Sequence, residues 1–203
     1  MQQHFNVVII GAGAGGISLA AKLSREIPAN SIAIIDPAEF HYYQPLWSIV
    51  GAGLAKMEDT KKNIKSLIPD GVKWIKDSVK EIRANENKVL TNSEAIQYDY
   101  LVIAPGLRLC WEKIEGLGDN LGKNGICSVY QADQVLAAQQ MITQFKKGNA
   151  IFVMPPVPIK CAGAPQKIMY LAENVFTTVR STFFCIFSRS IQCLYYAVFS
   201  SFQ

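Results

Sequence analysis

The sequence predicts an α/β fold in which a strand–helix–strand unit is extended by a β-meander and followed by the start of a second such unit. Three observations predict it. Residues 5–10, FNVVII, are a continuous apolar run suited to a central parallel strand. The glycine cluster GAGAGG follows at once and opens a stretch of helical spacing. Residues 149–176 repeat the order strand, loop, helix, with prolines where the first loop has glycines.

Taken in order, ISLAAKLSREI places Ile17, Ala20, Ala21 and Leu23 at helical intervals, and SIAIIDP (31–37) is the next strand, closed by an acid and a proline. Residues 41–58 are rich in aromatic and small side chains and read as an irregular segment running into a short helix. Residues 71–106 carry period-two patches separated by Asn, Glu and Gly, which predicts a β-meander ending in a buried strand. Residues 131–147 form a polar amphipathic helix, and the second strand–loop–helix begins near residue 148. The expected domains are therefore 1–147, a nucleotide-binding domain, and 148–176, the start of a second nucleotide fold. After about Thr177 the chain has no Asp or Glu and crowds Ser, Phe and Cys together, so 177–203 is expected to be a tail foreign to the fold.

Composition narrows the function. Half of the 203 residues are apolar and 18% are charged, which predicts a packed core. A net charge of +4 with scattered lysines gives no nucleic-acid footprint. Five cysteines, at 110, 127, 161, 185 and 193, include no C-x-x-C pair, and His4 and His41 are far apart. That pattern speaks against a metal site and a secreted disulfide scaffold, and for reduced thiols. No secretory or transit signal is visible before the first strand.

The glycine cluster carries the first chemistry. Gly11, Gly13 and Gly16 have the G-x-G-x-x-G spacing, follow an apolar strand, open a helix, and precede an acid, Asp36, at the end of the second strand. With that context the motif is a Rossmann-like dinucleotide fingerprint. Gly11 permits the turn, Gly13 admits a pyrophosphate, and Gly16 permits close helix–sheet packing, while Asp36 accepts hydrogen bonds from ribose hydroxyls. YDYLVIAPG (98–106), an apolar strand ending at Ala104 and Gly106, closes over the nucleotide in flavoproteins with two dinucleotide-binding domains, which favours FAD over NAD.

The second loop carries the other. Cys161 follows Lys160 and precedes a helix beginning near Ala164 or Pro165, and a helix N-terminus beside an ammonium favours thiolate. Prolines 155, 156, 158 and 165 stiffen the loop and obstruct backbone approach to a second pyrophosphate. Electrons are thus expected through sulfur rather than from NADH. Cys127 is read either as a second thiol near the flavin or as core filling, Cys110 as packing, and Cys185 and Cys193 as non-functional.

HYYQPLWSIVGAG (41–53), GVKWIKDSVKEI (71–82), YDYLVIAPG (98–106) and PPVPIKCAGAPQKIMYLAE (155–173) together resemble the mitochondrial type of sulfide:quinone oxidoreductase, over about residues 5–176. The resemblance implies FAD lying across Ala14 and Gly15, its ribose on Asp36, its adenine on the backbone of Val79, and a contact from Gln44. It implies that Cys161 is the first redox cysteine, passing through a disulfide or trisulfide and a persulfide. Hydrogen sulfide would be oxidised, electrons would pass through FAD to ubiquinone, and sulfane sulfur would leave on glutathione or sulfite.

In that family the partner cysteine, the last FAD contacts and the quinone pocket at the inner-membrane surface lie in a C-terminal half. The present chain is expected to be a truncated, inactive form of a mitochondrial enzyme. The competing expectations are a non-catalytic FAD-binding fragment and an NADH-dependent flavin dehydrogenase. Cys127 stands near an additional cysteine of bacterial relatives.

Overall fold

A computed structural model describes residues 3–154, 160, 161, 163–178, 182–188 and 196–200. In chain order the elements are β1 (Gln3–Ile10), α1 (Ala14–Leu23), β2 (Ile32–Ile35), β3 (Phe40–Tyr42), α2 (Trp47–Gly51), β4 (Lys61–Asn63), β5 (Val72–Ile75), β6 (Val79–Arg83), β7 (Lys88–Thr91) and β8 (Ala95–Ile103). There follow β9 (Ile126–Cys127), α3 (Val135–Gln144), β10 (Lys147–Val153), α4 (Ala164–Thr178), β11 (Thr182–Ser188) and β12 (Tyr196–Ser200). By packing, the chain divides into Met1–His41 with Lys61–Leu107, and Tyr42–Thr60 with Arg108–Gln203. The sequence boundary at 147 marks the return of the strand–loop–helix order and the one at 176 a change of composition; this division follows the packing.

The first unit is a six-stranded sheet in the order β5-β2-β1-β8-β7-β6. β1 pairs in parallel with β2 (Val7↔Ile32 to Ile10↔Ile35) and with β8 (Gln3↔Ile96 to Ile10↔Ile103). A strand with neighbours on both edges and cover on both faces needs continuous apolar, β-branched sequence, which FNVVII and IAII supply. On one face Val7, Ile9, Ile32 and Ile34 bury themselves with Ala20, and Ile17 and Leu23 pack against them. On the other, Phe5, Val8, Ile35, Ile75, Val89, Ile96 and Tyr98 form a second cluster.

The expected meander is shorter than 71–106. β6, β7 and β8 are its antiparallel strands, but β5 leaves it to pair in parallel with β2 (Ile32↔Val72 to Ile35↔Ile75) at the opposite edge of the sheet. Period-two patterning records that a strand is half buried; it does not record which edge the strand joins.

The second unit carries the sheet β11-β10-β12-β9 and helices α2, α3 and α4. α4 buries Pro165, Ile168, Ala172 and Phe176, a stripe at helical intervals. It meets Ala138, Ile142, Phe145, Ala150 and Phe152 in one core, with the Phe145 and Phe176 rings 4.8 Å apart. The segment expected to stand apart, 177–203, contributes two described strands: β11 runs parallel to β10 and β12 antiparallel to it.

Candidate functional site

In the first unit the glycines shape the turn between β1 and α1. Gly11 has φ +105°, where a side chain is strained, and a Cβ there would lie 2.2 Å from the Ala104 carbonyl oxygen. The turn is pinned from both sides: the Gly11 N–H donates to Ile35 O at 2.9 Å and the Ala104 N–H to Ile10 O at 2.8 Å. A Cβ on Gly16 would stand 1.9 Å from Gly11 O, so α1 rests directly on the turn. Gly13 and Gly15 differ, because a Cβ on either would meet nothing within 4 Å.

The N-terminus of α1 therefore faces open space. Gly13 is its N-cap, no side chain caps it, and no acid stands in its first turn. The amides of Ala14, Gly15 and Gly16 precede the first intrahelical bond, Ile17 N–H to Gly13 O at 3.0 Å. Glycine-lined space in front of unsatisfied amides at the positive end of a helix suits a pyrophosphate.

Asp36 stands at the end of β2. Its Oδ2 accepts the Ala12 N–H at 2.6 Å and its Oδ1 the Ala38 N–H at 2.8 Å. Trp74 Nε1–H donates to the Asp36 carbonyl at 3.1 Å. The carboxylate is thus fixed beside the glycine turn, with further lone pairs on both oxygens for hydroxyl donors. Val79 is half buried against the cluster that holds Ile35 and Ile75. Gly106, at φ +76°, lies open just beyond Ala104. The structure so brings Gly11, Gly16, Asp36 and Ala104 together around one turn.

Sequence reasoning missed Asp77. Its carboxylate accepts Ser93 Oγ at 2.6 Å, the Ser93 N–H at 2.9 Å, the Ser78 N–H at 2.7 Å and Asn92 Nδ2 at 2.7 Å, tying the β5–β6 link to the β7–β8 turn. The Ser93 hydroxyl leads the donors that hold this carboxyl well below its ordinary value of 3.8.

The second unit holds Cys161, exposed, at φ +92°, a backbone conformation that a residue with a side chain adopts only under strain. Its carbonyl accepts the Ala164 N–H at 2.9 Å, at the entrance to α4. The residue before it is held twice: Tyr130 Oη donates to Lys160 O at 2.7 Å, and the Lys160 ammonium donates to Gln44 Oε1. Gln44 Nε2 in turn donates to Tyr130 O at 3.3 Å, and Lys167 Nζ to Pro45 O at 3.1 Å. Gln44, expected at the cofactor, is found in the second unit with both ends of its amide engaged by Tyr130 and Lys160. Prolines 155, 156 and 158 lie outside the described residues, whereas Pro165 is buried in α4.

Cys127 is buried, and burial pushes its thiol up to about 12. It lines a small apolar cavity of about 20 Å³ with Tyr130, Ile142, Phe152, Pro165 and Ile168. Cys110 is half buried beside Trp111. Nothing is described of the Cys185 side chain, and Cys193 lies outside the described residues. Among the described residues no group of three or more His, Cys, Asp or Glu could hold a metal ion, and no helix is long and apolar enough to cross a membrane.

Residues 5–148 match the model of the pyridine nucleotide-disulphide oxidoreductase family. The chain is 44% identical over 176 residues to a mitochondrial sulfide:quinone oxidoreductase of Mus musculus, covering 86% of this chain and 39% of the relative. It is 46% identical over 171 residues to a mitochondrial sulfide:quinone oxidoreductase of Dictyostelium discoideum, covering 83% and 38%. It thus spans about two fifths of the length of these curated relatives. The crystal structure of the sulfide:quinone oxidoreductase of Aquifex aeolicus shares the fold, with a TM-score of 0.63 at 20% identity over 94% of this chain and 52% of that one.

Proposed function

Because the chain belongs to the pyridine nucleotide-disulphide oxidoreductase family, we propose that it carries the flavin and sulfide half of sulfide:quinone oxidation, with FAD bound in its first unit and sulfide chemistry at Cys161 in its second, and that it does not by itself turn over quinone. FAD is the cofactor of this family of folds, and when bound it supplies acceptance of an electron pair. Gly11, Gly13, Ala14, Gly15 and Gly16 hold the pyrophosphate by backbone amides, Asp36 holds the ribose, Val79 offers backbone groups to the adenine, and Ala104 and Gly106 close the turn.

Cys161 is the thiol that takes up sulfane sulfur. The observation that carries this role is its exposure on strained backbone at the mouth of α4, in the loop where a nicotinamide-binding unit has glycines. The names of the mitochondrial relatives support sulfide as substrate and a quinone as electron acceptor, taken in this reading as hydrogen sulfide and ubiquinone. Glutathione or sulfite is the sulfur acceptor in this reading, and the site of action is the mitochondrion, at the inner-membrane surface.

The test is anaerobic titration of the FAD-loaded protein, followed by flavin absorption. Sulfide should bleach the flavin, NADH should not, and Cys161→Ser should abolish the response while retaining FAD. Bleaching by NADH in place of sulfide makes the protein a flavin dehydrogenase; bleaching by neither makes it a flavin-binding module without this chemistry.

A further inference from the structure

Gln44, Tyr130 and Lys160 come from three separate segments, yet each is bonded to the other two. Tyr130 Oη donates to the Lys160 carbonyl, the Lys160 ammonium donates to Gln44 Oε1, and Gln44 Nε2 donates to the Tyr130 carbonyl. The ring admits one orientation of the Gln44 amide. An ammonium only donates and a carbonyl only accepts, so Oε1 must face Lys160 and Nε2 must face Tyr130.

The ring is anchored on both sides. Tyr130 is 6% exposed, with its ring packed among Trp111, Leu117 and Met154, so the hydroxyl is presented from a fixed base. Lys167, in the first turns of α4, donates to Pro45 next to Gln44. Together these bonds clamp the peptide immediately before Cys161, while the Ala164 N–H clamps the carbonyl of Cys161 itself. A residue at φ +92° returns to ordinary backbone unless its neighbours hold it on both sides.

We propose that Tyr130 is a positioning residue, which through Lys160 and with Gln44 holds Cys161 in the left-handed conformation that presents its thiol. The proposal rests on the reading that Cys161 is the sulfide-handling thiol, but its test has a readout of its own. Tyr130→Phe removes the hydroxyl and leaves the packed ring. In the FAD-loaded protein, iodoacetamide alkylation of each cysteine peptide is followed by mass spectrometry, alongside sulfide bleaching of the flavin.

Alkylation of Cys161 and bleaching should each fall about fivefold, the size of one lost hydrogen bond. FAD content and the protection of buried Cys127 should not change. Lys160→Met, which opens the ring at another corner and leaves the Tyr130 cluster intact, should act in the same direction. Unchanged or faster alkylation of Cys161, or alkylation of Cys161 and Cys127 rising together as general loosening produces, overturns the proposal. Bleaching that survives Cys161→Ser overturns the functional reading instead, and leaves the alkylation result to decide the positioning role.

Discussion

Gly13 and Gly16 have the same side chain and opposite liabilities. Gly16→Ala forces a Cβ to 1.9 Å from Gly11 O, so the helix must move off the turn, and a loss of about 1–3 kcal/mol is expected in urea denaturation. Gly13, at φ −75° with an open Cβ position, accepts Val with little strain. Gly13→Val should therefore fold and lose FAD, measured as flavin content after reconstitution. Asp77 gives a pH test. Its carboxyl lies below the ordinary 3.8 in the folded protein, so it contributes stability above that pH, lost as pH falls further. Asp77→Asn should flatten the acid limb of a urea-midpoint profile, and an unchanged limb would remove the carboxylate from the account. The close seating of Gly16 on Gly11 was legible in sequence because both belong to one short turn, whereas the approach of Gly11 to Ala104, from a distant strand, was not. The Gln44–Tyr130–Lys160 ring was not, since its members are 86, 30 and 116 positions apart and none is unusual in its own surroundings.

Among the elements, α4 shows how far periodicity reaches. Its apolar periodicity and its start near Ala164 or Pro165 could be read from KCAGAPQKIMYLAENVF, because a proline near a helix start and apolar residues at helical intervals are local signals. Phe176, fully buried against Phe145, ends that stripe. Phe176→Ala should cost about 3–5 kcal/mol in urea denaturation. A loss below about 1 kcal/mol would mean that the stripe does not anchor the helix. β5 marks the limit of such reading. Val72–Ile75 has the same alternation as the strands after it, and its parallel partner β2 is chosen by where the chain returns after residue 63. Pairing is a property of two segments, and one segment's pattern cannot specify it.

For the whole molecule, the two units divide its three tryptophans: Trp74 lies in the first, Trp47 and Trp111 in the second. Fluorotryptophan NMR can follow each through urea unfolding. FAD at about a hundred times its Kd should stabilise the unit that binds it by about 2.7 kcal/mol, moving the Trp74 midpoint more than the other two. Equal movement of all three would mean that the chain unfolds in a single step or that binding is not confined to the first unit. The backbone at Cys161 has a further implication for anyone breeding hardier variants of this protein. Glycine is the residue at ease at φ +92°, so a screen for heat tolerance alone should enrich Cys161→Gly, gaining about 1 kcal/mol. Such a winner would be sturdier and, on the role proposed for Cys161, blind to sulfide, a trade of chemistry for endurance.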